Sequence, residues 1–543
     1  MQLTQLVRPH TTTAPRSALP ALPLRLPTPL QAITGLIVAL VLLPLAYLIM
    51  RALSAGEAGL AYLLDGRTLA VVGNSLLLMI AVVGASALIG VPFAWLTTRT
   101  NLPLRRLWLI GGMLTMVIPS YIGAMMYITA FGPRGLLQGL LEPLGITHIP
   151  SIYGFFGAWL AITLFTYPYV VLPVRAALLN MDPALEESAR SLGLRRWAVF
   201  FRVTLPQLRP ALAAGMLLTA LYTLSDFGAV ALMRYDAFTR VIYLQYTSSF
   251  DRSRAAILSL VLVALTLGLL YIERRIAAQK RNYRAGTGSQ RQNKPVALGR
   301  WTIPALLFCA ALIGIGVITP VAVLGYWLTR GMTAGMDFTN LVAPTLNTVG
   351  VSGLSALIVG LLALPPALLA VRQSSRLNRW MVQFAYLGNV LPGLVVALAF
   401  VFFAANALPS LYQTLPILIL GYSTRFLPLS IGSTRSALTQ INPRFEEAAR
   451  SMGLRPWQVM ARITAPLARA GIFGGMALVF LSVMKELPTT LLLSPTGFAT
   501  LPTAIWTAHN EVRLAQIGAP SLLLVAVSAL SLIFILRREQ HQG

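Results

Sequence analysis

The sequence predicts an all-α membrane protein of about twelve transmembrane helices, arranged as two parallel six-helix repeats. Three observations carry that expectation. The 543-residue chain is 56% hydrophobic and only 11% charged, with a mean hydropathy of +0.73, a composition that fits a polytopic membrane protein rather than a soluble enzyme with an anchor. Apolar runs of roughly 20 residues, the length a bilayer requires, recur along the whole chain. The two halves also match at constant offsets. Asn74, Pro92, Arg99 and Pro119 return as Asn347, Pro365, Arg372 and Pro392, each 273 residues on, and Pro168 and Arg175 return as Pro428 and Arg435, 260 residues on.

In chain order, residues 1–30 are rich in Pro, Thr and Leu with scattered Arg, and read as a disordered basic arm without a cleavable signal. Spans are expected near 31–52, 70–96, 107–131, 153–178, 208–232 and 255–272, making residues 31–272 the first repeat. Residues 273–300 are basic and polar, and read as a linker. The second repeat, 301–543, has spans near 301–329, 345–371, 380–406, 411–434, 467–493 and 518–536. The change of offset from 273 to 260 places a loop 13 residues longer after the third span of the first half. Six spans per half give both halves the same orientation. Gly90, Pro92, Pro119, Pro168, Pro365, Pro366, Pro392 and Pro428 fall inside spans, where they permit kinks or close helix packing.

The stretch 183–209 occurs twice. PALEESARSLGLRRWAVFFRVTLPQLR returns at 443–469 as PRFEEAARSMGLRPWQVMARITAPLAR, identical at 15 of 27 positions. Each copy reads as helix, turn, helix. Asp182 and Asn442 are N-cap types, and Pro183 and Pro443 follow where a missing N–H costs nothing. Glu186-Glu187 and Glu446-Glu447 fall in first turns, where the helix dipole favours negative charge. Gly193 and Gly453 suit a left-handed C-terminal residue. Charged units of this kind between apolar spans suggest a docking surface for a soluble partner.

Glu187-Ser188-Ala189, Gly193, Val203 and Leu205-Pro206, with Glu447-Ala448-Ala449, Gly453, Ile463 and Ala465-Pro466, resemble the EAA motif of ABC importer permeases. Ser188 and Ala465 depart from the pattern. The resemblance implies the fold of that permease family. It also implies that Glu187, Ala189, Gly193, Pro206, Glu447, Ala449, Gly453 and Pro466 couple the chain to cytoplasmic ATPase subunits, two per complex. An external substrate-binding protein is the partner implied on the opposite face. Because both halves are fused, one chain would supply the whole pore.

Charge gives the orientation. With both termini, the linker and both repeated loops placed in the cytoplasm, 31 of the 42 Lys and Arg residues lie inside, as the positive-inside rule requires. The net charge of +26 is spread over short loops and does not form a nucleic-acid patch. The expected location is a bacterial inner membrane, with lipid as the surroundings. Four charges fall within spans: Asp226, Arg425, Lys485 and Glu486. Asp226 and Glu486 are matched at an offset of 260. The four either line a translocation path or pair with one another, Lys485 with Asp226 for instance, to hold the bundle. Ser225-Asp226-Phe227-Gly228, Met484-Lys485-Glu486-Leu487-Pro488 and Leu491-Leu492-Leu493-Ser494-Pro495 resemble segments of fused ferric-iron permeases. That resemblance implies ferric iron as substrate, a hard cation suited to carboxylate and phenolate oxygen. Tyr222 and Tyr243 are near, but neither is expected to be more than an interface anchor, and no residue is assigned as a metal ligand.

No GxxxxGK[ST] occurs, so no ATP hydrolysis is expected on this chain. Cys309 is the single cysteine, the four histidines are scattered, and no cofactor is expected. Thiamine, polyamine, phosphonate and oxyanion importers share the architecture and remain alternatives for the substrate. An ion-gradient-driven secondary transporter is the rival of another class, although it has no need of a duplicated docking loop. A scaffold or sensor without transport is a third reading, which the kinked, charge-bearing spans disfavour.

Overall fold

The computed structural model describes residues 28–146, 148–248, 253–278, 295–373, 375–389 and 391–540. Among them, nine helices are long and apolar enough to cross a membrane, and two further apolar pairs of helices meet at a sharp bend, which makes eleven if each pair is one span. A chain this apolar must satisfy its N–H and C=O groups within its own segments, and helices do so.

In the first half, α1 (Pro29–Leu53) opens with a reciprocal capping box. The Gln31 N–H donates to Thr28 Oγ1, and the Thr28 N–H donates to Gln31 Oε1. Thr28, Pro29 and Leu30 therefore start the first helix; the rest of the stretch read as an arm lies outside the described residues. The principal helices that follow are α2 (Gly66–Arg99), α3 (Arg105–Met113), α4 (Ser120–Phe131), α5 (Phe155–Leu179), α6 (Pro183–Ser191), α7 (Leu205–Ser225), α8 (Gly228–Leu232) and α9 (Ser253–Ala278), with shorter helices between them. The last of these runs on into the stretch read as linker, of which residues 279–294 lie outside the described residues. Where the chain resumes, the Val296 N–H donates to Arg99 O and the Asn101 N–H to Val296 O, fastening the end of the linker to α2.

The second half repeats the pattern with α10 (Thr302–Ile313), α11 (Thr319–Thr333), α12 (Val342–Arg372), α13 (Arg376–Ala385), α14 (Gly393–Ala407), α15 (Leu415–Gln440), α16 (Arg444–Ser451), α17 (Ala465–Met484), α18 (Pro488–Leu493) and α19 (Gly518–Gln540). A π turn, Gly314–Ile318, joins α10 to α11. In that register the Ile315 carbonyl would take the N–H of residue 320, which is a proline, and the Tyr127 hydroxyl donates to it instead at 3.0 Å.

Each half is built on a packed triad, α2, α5 and α7 in the first and α12, α15 and α17 in the second. The opening helices are exchanged. α1 packs on α12, α13 and α14 of the second half, where Gln31 Nε2 donates to Asn378 Oδ1 at 2.8 Å and Tyr47 meets Phe403 edge-on. In return, α10 packs on α3 and α11 on α4 of the first half.

Four expected spans take a different form. Residues 107–131 and 380–406 are not single rods: the chain turns by 100° between Arg105–Val117 and Ser120–Leu144, and by 98° between Arg376–Gly388 and Gly393–Ala407. Pro119 and Pro392 stand at these two bends. The other span prolines, Pro92, Pro168, Pro365, Pro366 and Pro428, lie inside continuous helices. The stretch 208–232 breaks at Asp226, and 467–493 breaks likewise at Lys485–Leu487.

Candidate functional site

The two repeated loops adopt one geometry. In α6 the Ala184 N–H donates to Asp182 Oδ1 at 2.9 Å, and in α16 the Arg444 N–H donates to Asn442 Oδ1 at 3.1 Å. Both helices stop on a left-handed glycine, Gly193 at φ +86 and Gly453 at φ +84. The Leu194 N–H returns to Ala189 O, and the Leu454 N–H to Ala449 O, which satisfies last-turn carbonyls. A π turn follows in each, Phe200–Thr204 and Met460–Thr464. Pro206 and Pro466 stand just beyond these turns, at the starts of α7 and α17, where they have no N–H to offer an earlier carbonyl.

Within each motif the two glutamates part company. Glu187 and Glu447 are exposed, whereas Glu186 and Glu446 are buried. Arg99 donates to Glu186 Oε2 at 2.7 Å, and Thr204 to Glu186 Oε1 at 2.9 Å. Arg372 pairs with Glu446 at 3.0 Å, and Thr464 donates to the same oxygen at 3.1 Å. Thus α6 and α16 are each pinned to the end of a spanning helix in their own half. Ala189 and Ala449 are buried on that inner side, while Pro206 is half-buried and Pro466 exposed. The Glu186–Arg99 and Glu446–Arg372 pairs were not singled out from the sequence, yet both members recur at the two offsets. The exposed side carries the matched Trp197 and Trp457, together with two matched apolar pairs that were also missed: Leu185 and Phe445, Leu192 and Met452.

A second cluster lies inside the bundle, where α7 and α17 end. Asp226 closes α7 and opens α8: the Ala229 N–H donates to its Oδ1 at 2.9 Å and the Ser120 hydroxyl to its Oδ2. Its own carbonyl accepts from Thr239 Oγ1 at 2.5 Å. Glu486 has the matched place between α17 and α18. Its Oε1 accepts from Thr489 Oγ1 at 2.7 Å and forms an ion pair with Arg425 of α15. Both carboxylates are buried. Lys485 takes neither of them. Its Nζ crosses to the first half and donates to the carbonyl of Met116 at 3.3 Å. The pairing of Lys485 with Asp226 considered from the sequence is therefore replaced by Arg425 with Glu486. Tyr222 rests against Tyr169 and Tyr243 against Phe227. Among the described residues no group of three or more His, Cys, Asp or Glu is arranged to hold a metal ion.

At the end of the bundle opposite the loops, the second half opens a cleft of about 810 Å³, with Asp337, Asn340, Gln413, Ser494, Thr496 and Arg513 on its walls. The first half instead carries its longer loop there, with a short helix, Leu136–Leu141.

The comparisons with known proteins agree with a two-fold permease. The family described as "Binding-protein-dependent transport system inner membrane component" matches twice, at residues 86–282 and 356–538. The Fe(3+)-transport system permease protein FbpB 2 of Haemophilus influenzae is 32% identical over 502 residues, covering 91% of this chain and 95% of that protein. The ferric transport system permease protein FbpB of Actinobacillus pleuropneumoniae is 25% identical over 499 residues, 87% of this chain and 71% of its own. The molybdenum transport system permease protein ModB of Escherichia coli is 32% identical over 204 residues, only 36% of this chain but 87% of its own. With two matched repeats, twin loops of one geometry and a full-length relative, the chain belongs to the inner-membrane permease family of binding-protein-dependent transport systems.

Proposed function

We propose that this chain forms the whole pore of an ATP-driven importer of ferric iron. Two ATPase subunits would dock on the loops at 183–209 and 443–469 from the cytoplasm, where both termini also lie. A substrate-binding protein would dock on the opposite face, over the cleft between Asp337 and Arg513. The observation that supports this reading best is the near-complete match to a ferric permease, which runs through both halves and not one alone. Glu187, Glu447 and the exposed apolar residues of the loops offer mixed charged and greasy contacts to the ATPase, while Gly193 and Gly453 make the tight turn. Since the loops are fastened to α2 and α12 by buried ion pairs, a movement imposed on them is carried into spanning helices. Alternating access then follows: ATP closes the ATPase pair, the halves rock, and substrate enters from its binding protein.

An oxyanion substrate is the second reading. It is favoured by the likeness to ModB and by the cations Arg425 and Lys485 inside the bundle. The deciding measurement is ATP hydrolysis by the reconstituted complex with a binding protein that is apo, ferric-loaded or molybdate-loaded. Stimulation by the ferric form alone is the expected result, and stimulation by the molybdate form alone replaces iron with an oxyanion. Failure of any ATPase to associate, together with uptake by the chain alone in liposomes under an ion gradient, would return the secondary-transporter reading.

A further inference from the structure

We propose that Lys485 is a latch between the two halves, and that a path opens between them only when its ammonium group leaves the Met116 carbonyl. The argument begins with why that carbonyl is available. α3 tightens into a 3-10 turn over Leu114–Val117, Ile118 turns extended, and Pro119 follows with no N–H to donate. In an unbroken helix the Met116 carbonyl would take the N–H of residue 120, but the chain has turned by 100° and α4 starts there in a new direction. Among the described residues no backbone N–H reaches this oxygen across the bend, and Lys485 Nζ of the other half does, at 3.3 Å.

The donor is equally a product of a break. α17 ends at Met484, and Lys485 is the first residue beyond it. It is the C-cap of α17, where the helix stops, and its side chain spans the seam to Met116. The matched positions in the opposite sense are Ser225 and Asn389, which supply no cation. The latch is therefore one-sided, a property of this pair of halves and not of the repeat.

The choice of acceptor decides what the contact can do. Arg425 is held by a full negative charge on Glu486, whereas Lys485 is held by a neutral dipole. Charge-assisted bonds to carbonyls are firm enough to bias a two-state equilibrium, yet weaker than a buried ion pair. A contact that must form and break in every cycle suits the former, and a contact that shapes one half suits the latter. Arg425 and Glu486 both belong to the second half and move together. Lys485 and Met116 belong to different halves; α10 and α19 of the second half also pack on the end of α3 that carries Met116, so the contact separates when α17 moves relative to α3.

This proposal rests on the importer reading only in assuming that a path opens between the halves. The test is thiol accessibility. In a Cys309→Ser background, Met116→Cys places a thiol at the seam and leaves the backbone carbonyl intact. The reconstituted permease is treated with a small, charged methanethiosulfonate. Labelling is expected to be slow with Lys485, to rise about tenfold with Lys485→Met, and to stay slow with Lys485→Arg, which keeps a cationic donor. Equal rates for the Lys485 and Lys485→Met proteins overturn the latch. Should Lys485→Met fail to accumulate, the double variant Met116→Cys, Lys485→Cys joined by a short bis-methanethiosulfonate decides. The joined protein is expected to lose transport and to recover it on reduction, while undiminished transport in the joined form overturns the proposal. Failure of the importer reading is recognised separately, because it abolishes transport before joining and leaves the labelling rates interpretable.

Discussion

Asp226 and Glu486 occupy matched breaks, and the two halves satisfy them by different means. The first-half carboxylate takes neutral donors, the Ser120 hydroxyl and the Ala229 N–H. The second-half carboxylate takes the Thr489 hydroxyl and a guanidinium. The exchange is made by two further matched pairs. Ser120 corresponds to Gly393, and Phe165 to Arg425. A Cβ at position 393 would overlap both the Arg425 guanidinium and the Glu486 carboxylate, so glycine there is the condition for admitting the arginine. In the first half the small serine supplies the hydroxyl, and Phe165 packs closely over Gly123. A duplicated scaffold has thus kept the position of a buried carboxylate and divided its electrostatics, one side neutral-bonded and the other ion-paired. The repeated loops show the contrary case: Glu186 with Arg99 and Glu446 with Arg372 are the same device twice.

The sharpest way to break this comparison is to neutralise each carboxylate. Glu486→Gln strands Arg425 inside the bundle and is expected to cost about 3–5 kcal/mol. Asp226→Asn strands no cation and keeps a carbonyl oxygen for one of its two donors, and its cost is expected at about 1–2 kcal/mol. Melting of the two purified variants in one detergent measures the difference, and equal losses would show that the halves are not divided as described. A smaller effect tests the role of Gly393. Gly393→Ser is expected to cost about 1–3 kcal/mol through overpacking, and adding Arg425→Phe to it should restore part of that loss by transplanting the first-half pair. No recovery in the double variant would mean that the two positions are not exchanged as a set. The smallest effect concerns the loops, where the halves should behave alike. Gly193→Ala and Gly453→Ala each force a side chain into the left-handed region with open space around it, and each should cost about 1–2 kcal/mol. A large difference between them would mean that the loops are not equivalent.

The sequence made the spans, the duplication and the turn geometry of the loops legible, because each rests on local chemistry: apolar length, a capping residue, a glycine before an apolar residue. It did not distinguish Pro119 and Pro392, which mark bends near 100°, from Pro92 or Pro428, which sit in continuous helices. A proline removes one N–H wherever it stands. Whether the helix absorbs that loss or turns is set by what packs around it, and here the exchanged helices α1, α10 and α11 pack against the bent spans. The partner of Lys485 was hidden for a similar reason. A neutral backbone oxygen released by a bend leaves no mark in the residue types, and a carboxylate was the natural guess. The inward turn of Glu186 and Glu446 could have been read, since Arg99 and Arg372 repeat at the other offset.

The exchange of opening helices has a consequence for how the protein is made. Gln31 meets Asn378, 347 residues further on. At ribosomal speeds of about 5–20 residues per second, α1 is inserted on the order of 20–70 s before its packing partners in the second half exist. The first half therefore leaves the translocon with α1 resting on α9 of its own half, its second-half face still bare, and with the sites for α10 and α11 uncovered. The fused chain removes the need for two unfinished halves to find each other in the plane of the bilayer, because the missing partner arrives on the same polypeptide, already at high local concentration.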